Sequence, residues 1–340
     1  MGSDFDRLPV MSSDRWLRDP HTFHGRLEMR PFASTVLEGN PLGDPHEREV
    51  PVYVPPQAAD GPLPVVFVLV GFTGKPHALL ETHPWKAGVI QGLDQAMATG
   101  EHPPHLVVMP DAWTRLGGSQ YVNGEATGRY EDYIVDELVP WVDEHYPSNG
   151  RRAVVGKSSG GFGAMHLCMQ RPGIFHTCAS IAGDCHFEYG YASDFLNALR
   201  GLGKYGGDVA RFLDEFEDGH DLSGDAHAVL NTVAMATCYS GGELPFDLET
   251  GARRDEVWAR WLEFDPLFAC ERSADALRGL DLLYLEAGKA DEFHLQFGLR
   301  VLAERLAALG IPHEHVEFEG GHFGLNARYP EVLRRLVAAL

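Results

Sequence analysis

Apolar residues along this chain follow two recurring patterns. The first is a short unbroken run closed by a glycine or a turn. Such runs occur at Leu63–Phe72 (LPVVFVLVGF), His105–Ala112 (HLVVMPDA), Arg152–Gly156 (RAVVG), Phe175–Gly183 (FHTCASIAG), Leu280–Gly288 (LDLLYLEAG) and His313–Gly321 (HEHVEFEGG). Runs of this length without strict alternation are those of strands buried on both faces. The second pattern returns every three or four residues. It places Tyr130, Ile134, Leu138 and Trp141 on one stripe within Gly128–Tyr146, and it recurs in His294–Gly310, which stops at a glycine as helices do, and in the final YPEVLRRLVAAL. Strands that alternate with amphipathic helices predict an α/β fold with a mostly parallel central sheet covered by helices on both faces. Ahead of them, RLEMRPFASTVL and REVPVYVPP are joined by the turn-rich EGNPLGDPHE, which predicts an antiparallel pair at the start of the sheet.

Two segments depart from this rhythm. Residues 1–24 carry little periodicity and read as an N-terminal arm, which leaves 25–340 as one α/β domain. Residues 187–262 show no strand run but two or three helical patches, such as AHAVLNTVAMATCYS and RDEVWARWLEF. Inserted between two sheet strands, they are expected to form either a cap over a site or a helical decoration.

Composition narrows the partners. A net charge of −21 over 340 residues repels polyanions, so nucleic acid is not an expected partner. The five cysteines are odd in number and contain no C-x-x-C pair, so neither a disulfide framework nor a structural zinc site is expected. Asp184, His186 and Glu188 alternate in GDCHFEYGY but lack a matching second ligand set, so no metal and no cofactor is expected. No run approaches the length of a membrane span, and MGSDFDRLPVMSSDRW has no apolar stretch with basic flanks. These features point to a cytoplasmic protein, with homo-oligomerisation left open.

The chemistry turns on RRAVVGKSSGGFGAM, Arg151–Met165. Its G-K-S ends like a phosphate-binding loop, but that motif needs a glycine at position 151, where Arg151 stands. The intervening residues are also apolar and β-forming, whereas a phosphate cradle needs a backbone free to curl. The same stretch fits G-x-S-x-G. In that motif a strand turns sharply into a helix with serine at the corner, and small residues two before and two after let strand and helix approach. Gly156 and Gly160 flank Ser158 in this way. Choosing Ser159 instead would put Lys157 at a crowded position.

A serine hydroxyl needs a base and an acid to orient that base, and on this architecture they follow in the order Ser, Asp or Glu, His. His322 follows the last strand run in VEFEGGHFGLNARYP, with Gly320 and Gly321 free to turn it back over the strand ends. Asp291 follows the preceding run in AGKADEFH. Glu292 reads as an ordinary acid at a helix start, and Asp184 and Asp265 are weaker alternatives for the acid. The oxyanion of an acyl intermediate needs two amide donors. Ser159, at the helix N-terminus, and Phe72, in VLVGFTGKP after the first central strand, are the candidates. Trp85, Trp113 and Tyr121 lie in loops at strand ends and are candidate pocket walls, or else core residues.

With VGFTGKP, VVMPDAW, YEDYIVDELVPWVDEHY, AVVGKSSGGFGAM, AGKADEFH and EFEGGHFG in place, the chain resembles the putative-esterase branch of the α/β-hydrolases. That branch includes esterase D, enterochelin esterases, feruloyl esterase domains and mycolyltransferases. The resemblance covers roughly 48–186 and 263–340. It implies Ser158 as nucleophile, His322 as base, Asp291 as acid and Phe72 as an oxyanion amide. The family often carries Met or Phe after the nucleophile, where this chain has Ser159. Residues 187–262 match no subfamily of known substrate. The expectation is a serine carboxylesterase working through an acyl-enzyme on a small-molecule or polymer-linked ester. The rivals are an acyltransferase using the same residues and a non-catalytic binding protein on a hydrolase scaffold.

Overall fold

The computed structural model describes residues 23–81, 87–219 and 224–340. Trp85 and most of the expected N-terminal arm lie outside the described residues. The strands are β1 (Arg26–Ala33), β2 (Glu47–Val54), β3 (Leu63–Leu69), β4 (Leu106–Val108), β5 (Asn123–Gly124), β6 (Gly128–Arg129), β7 (Ser148–Lys157), β8 (Thr177–Ile181), β9 (Leu282–Gly288) and β10 (Glu314–Phe318). Eight of them form one sheet in the order β1-β2-β4-β3-β7-β8-β9-β10, and β5 and β6 make a separate small hairpin. β1 and β2 pair antiparallel, as the turn-rich joint between them predicts, and β2 pairs antiparallel with β4. From β4 to β10 every neighbour is parallel.

Each apolar run became a strand for the reason it was apolar. Val65–Leu69 of β3 and all of β8 are buried, so neither face could be polar without stranding a group away from water. β10 is the sheet's edge. It is only half-buried, and its Glu317 is paired with Arg300, which keeps the edge charged. The chain is an α/β-hydrolase fold, and no helix among the described residues is long and apolar enough to cross a membrane.

The stripe predicted over Gly128–Tyr146 is helical from Tyr130 to His145, with Tyr130, Ile134 and Leu138 fully buried. Its middle, Tyr133–Leu138, is a widened π turn. Pro140 follows at once and has no amide to give the Asp136 carbonyl, which an unbroken α-helix would require.

Residues 187–262 are more helical than their sequence pattern suggests. They form helices at Phe187–Gly190, Phe195–Gly203, Val209–Gly219, Asp225–Ser240 and Asp255–Leu262. These helices share an apolar cluster of their own, separate from the sheet core, in which aromatic rings pack among smaller aliphatic side chains. Trp261 is fully buried in it and donates its indole N–H to Ser240 Oγ at 2.9 Å. Phe162, on the helix Ser159–Gln170, enters the same cluster edge-on to Tyr239, so the insertion is seated on that helix.

Candidate active site

Strand β7 ends at Lys157 and the helix Ser159–Gln170 begins two residues later. Ser158 stands between them at φ 55°, ψ −127°, a conformation that costs a residue with a Cβ of order 1–3 kcal/mol. The surroundings force it. A Cβ on Gly156 would run into the Gly160 carbonyl, and one on Gly160 would run into the Leu69 carbonyl of β3. The two glycines that selected Ser158 from the sequence are therefore the two at which strand and helix backbones touch. The Ser158 amide donates to the Ile181 carbonyl of β8 at 2.9 Å, and its carbonyl accepts from the Phe162 amide at 3.0 Å. The corner is thus held by the neighbouring strand and by the helix it opens.

His322 lies in the turn after β10. Its Nδ1 is 2.8 Å from Asp291 Oδ2, and the Asp291 side chain is fully buried. Asp291 Oδ1 accepts the Phe293 amide at 2.9 Å, which fixes the carboxylate's plane. A carboxylate can only accept, so Nδ1 carries the proton and Nε2 of the neutral ring keeps a lone pair. Phe293 packs edge-on to the imidazole at 4.7 Å. Among the described residues no hydrogen bond joins Ser158 Oγ to the ring. Both residues line one cavity, and such contacts commonly tighten only around a reacting group.

The segment bearing His322 is fastened at three points. The His322 amide donates to Glu292 Oε2 at 2.6 Å. Glu292 is therefore not the helix-start acid its position suggested: that helix begins at Leu295, and the carboxylate instead spans to the Gly320–His322 turn. Arg328 makes a two-pronged pair with the fully buried Glu286 of β9, at 3.0 and 2.7 Å. Lys157 reaches Asn326 Oδ1 at 2.8 Å. This cation, left without a role once the phosphate-loop reading failed, thus ties the residue before Ser158 to the segment after His322.

The cavity measures about 170 Å³ and is lined by Ser158, His322, Phe72 and Ser159. The amides next to Phe72 are spent, Thr73 on the Gly117 carbonyl and Gly74 on the Gly71 carbonyl. Ser159 is the first residue of its helix, so its N–H has no intrahelical partner. The insertion supplies the facing wall through Phe187, Tyr191, Asp194, His227 and Asn231. Trp113 and Tyr121 do not reach this cavity. They line a narrow cleft of about 10 Å³ beyond the Phe72 loop. There Tyr121 donates its hydroxyl to the Val70 carbonyl at 2.7 Å, and Trp113 lies under the Lys75 ammonium.

The remaining carboxylates separate cleanly. Asp265 is buried and accepts amides from His186, Phe187 and Leu267, a structural cap far from the role of triad acid. Asp184, His186 and Glu188 diverge: Asp184 faces the cavity, His186 stacks on Tyr189, and Glu188 pairs with Arg253. His227 and Asn231 were not among the expected site residues. Their one signal was an i, i+4 spacing that puts two polar side chains on one face of an otherwise buried helix.

A family model described as "Putative esterase" matches residues 44–324. Among solved structures, the chain is similar to a ferulic acid esterase at 16% identity, covering 94% of this chain and all of that one with a TM-score of 0.61. It is similar to an S-formylglutathione hydrolase from Agrobacterium tumefaciens at 19% identity, covering 94% and 97% with a TM-score of 0.56. It also resembles FphF, a fluorophosphonate-binding serine hydrolase of Staphylococcus aureus, at 15% identity, covering 92% and 97% with a TM-score of 0.57. At such identities the structures establish a shared fold, while the match across most of the chain establishes the family. The chain belongs to the putative esterase family.

Proposed function

We propose that the protein is a carboxylesterase that works through an acyl-enzyme on Ser158. The observation that carries this reading is the 2.8 Å contact between His322 Nδ1 and the buried Asp291, facing the strained Ser158 corner across one cavity. Ser158 Oγ attacks the ester carbonyl while His322 Nε2 takes its proton. Asp291 holds the ring in the tautomer that leaves Nε2 free, and it stabilises the imidazolium that forms. The carbonyl oxygen becomes an oxyanion between the amides of Phe72 and Ser159, each worth on the order of 10²–10³ in rate. Collapse of the tetrahedral intermediate breaks the ester bond, and His322 returns its proton to the departing alcohol. Water activated by the same histidine then releases the acid.

A fluorophosphonate probe followed by peptide mapping tests the assignment. Labelling confined to Ser158, and loss of both labelling and ester hydrolysis in Ser158→Ala, is the expected result. A Ser158→Ala protein that kept its hydrolysis rate would end the proposal. Product analysis with added alcohols measures how much acyl group goes to an acceptor other than water.

A further inference from the structure

Asp184 has no part in the proton relay, yet it lies in the cavity beside the nucleophile. It follows the end of β8, where open α/β sheets place ligand-contacting residues. One of its oxygens is fully committed. Oδ2 accepts Tyr191 Oη at 2.8 Å, Ser159 Oγ at 3.0 Å and Gln120 Nε2 at 3.2 Å. Oδ1 takes no donor among the described residues, yet it is not sealed from solvent, which leaves it open to the cavity. Asn231 Oδ1, on the facing helix of the insertion, is a second acceptor without a partner, and it is buried. Asp194 adds a further carboxylate, and no lysine or arginine lines the cavity among the described residues. His227 does not supply the missing cation, because burial pushes its imidazole below the ordinary value and favours the neutral ring. Burial is the largest influence on the Asp184 carboxyl and holds it above the ordinary carboxylate value, although the Tyr191 and Gln120 donors, the nearby His322 and the Ser159 hydroxyl pull the other way.

We infer that Asp184 Oδ1, with Asn231 Oδ1 across the cavity, is a specificity-determining acceptor pair. It selects esters that carry a hydroxyl near the scissile bond and rejects those that carry a carboxylate there. The inference rests on Ser158 being the nucleophile. A hydroxyl donor gives both acceptors a partner, whereas an anionic substituent at the same place faces the Asp184 carboxylate and the Asn231 carbonyl oxygen, neither of which can donate.

Four matched esters test it: propyl butyrate, 2,3-dihydroxypropyl butyrate, propyl 3-hydroxybutyrate and carboxymethyl butyrate. Two carry the hydroxyl on opposite sides of the ester bond, so the better of them locates the pair relative to the acyl group. The wild-type protein is expected to favour at least one hydroxylated ester over propyl butyrate by about tenfold in kcat/KM, and to disfavour the carboxymethyl ester by at least as much. Asp184→Asn is informative because Tyr191, Ser159 and Gln120 still demand an acceptor. The amide oxygen therefore turns toward them and the NH₂ group enters the cavity. The hydroxylated-to-propyl ratio should collapse and the carboxymethyl-to-propyl ratio should rise, mainly through KM. Asn231→Leu removes the second acceptor without touching the Asp184 network and should lower the hydroxylated-to-propyl ratio severalfold. Fluorophosphonate labelling of Ser158 is followed in each protein. Absence of labelling in the wild type overturns the nucleophile itself. Labelled proteins whose ester ratios do not differ overturn the acceptor pair, as does a wild-type protein that accepts the carboxymethyl ester as readily as the hydroxylated ones.

Discussion

The two walls of the cavity are built on different physical principles. The sheet-side wall carries Ser158, His322 and Asp291, and it is held by backbone contact and charge. Gly156 and Gly160 leave no room between strand and helix, and Glu292, Arg328 and Lys157 fasten the segment around His322. The facing wall, from residues 187–262, is held by packed rings: neighbouring rings among Phe187, Tyr191, Tyr239 and Trp261 stand 4.7 to 6.3 Å apart, centre to centre. Ring packing tolerates repacking, whereas touching backbones do not. The difference teaches where each kind of task can reside. The residues that need sub-ångström placement sit on the rigid wall, together with Asp184, while the wall that sequence change can remodel brings Asn231 and His227 to the cavity.

The largest expected effect breaks the rigid wall alone. In Asp291→Asn the Phe293 amide still requires an acceptor, so the new NH₂ group faces His322 Nδ1. The ring must then carry its proton on Nε2, and the base is lost. We expect kcat to fall on the order of 10⁴-fold with little change in KM, measured by steady-state kinetics. A drop of less than tenfold would mean that another group orients the ring.

The next perturbation weakens only the insertion. Trp261 is fully buried there and does not line the cavity. Trp261→Ala should cost about 3–5 kcal/mol of stability in urea unfolding. It should raise KM while Ser158 remains open to a fluorophosphonate. If labelling of the folded variant disappeared as well, the two walls would not be separable.

The smallest effect sharpens the comparison at a single tether. Lys157→Met leaves Asn326 without its donor, and loosening the His322 segment should lower kcat by roughly threefold to tenfold. Stability should move the other way. Burial pushes the Lys157 ammonium below the ordinary lysine value. A lysine whose folded value is depressed penalises folding while it is charged in both states. The penalty fades as pH rises through the folded value and is gone above the unfolded value of about 10.4. The wild type should therefore gain stability relative to Lys157→Met as pH rises toward the unfolded lysine value of about 10.4, as read from urea midpoints at each pH. A gap that stayed constant across this range would show that Lys157 is not penalised by burial.

How much of this was legible in the chain follows the same divide. The strands were readable because a strand buried on both faces is mostly apolar, and the polar residues it does carry need a partner, as Glu286 has in Arg328. The Ser158 corner was readable because only glycine fits where two backbones meet. The part that stayed hidden depends on contacts distant in sequence. Glu292 looked like a helix-start acid because its partner, the His322 amide, lies thirty residues on. Trp113 and Tyr121 stood at strand ends, as pocket residues do, but Tyr121 packs against Gly163 beneath the elbow helix, an approach no local pattern encodes. The five helices described within 187–262 were blurred into two or three because several span only 4 to 11 residues, too few turns for a repeat to stand out. Asp184 was visible only as a lesser candidate for the acid or as part of an imagined metal set, since neither reading used its place past the end of β8.

The tie between Lys157 and Asn326 spans 169 residues of chain, and its consequence is one of time. The nucleophile's corner needs only β3, β7, β8 and one helix. The base cannot arrive until β9 and β10 have been added to the sheet's far edge. Contacts that close so long a loop are costly to form early. A refolding molecule would therefore complete most of its helices and its serine corner before it could hydrolyse anything, so the appearance of activity marks the closing of the last strands rather than the collapse of the core.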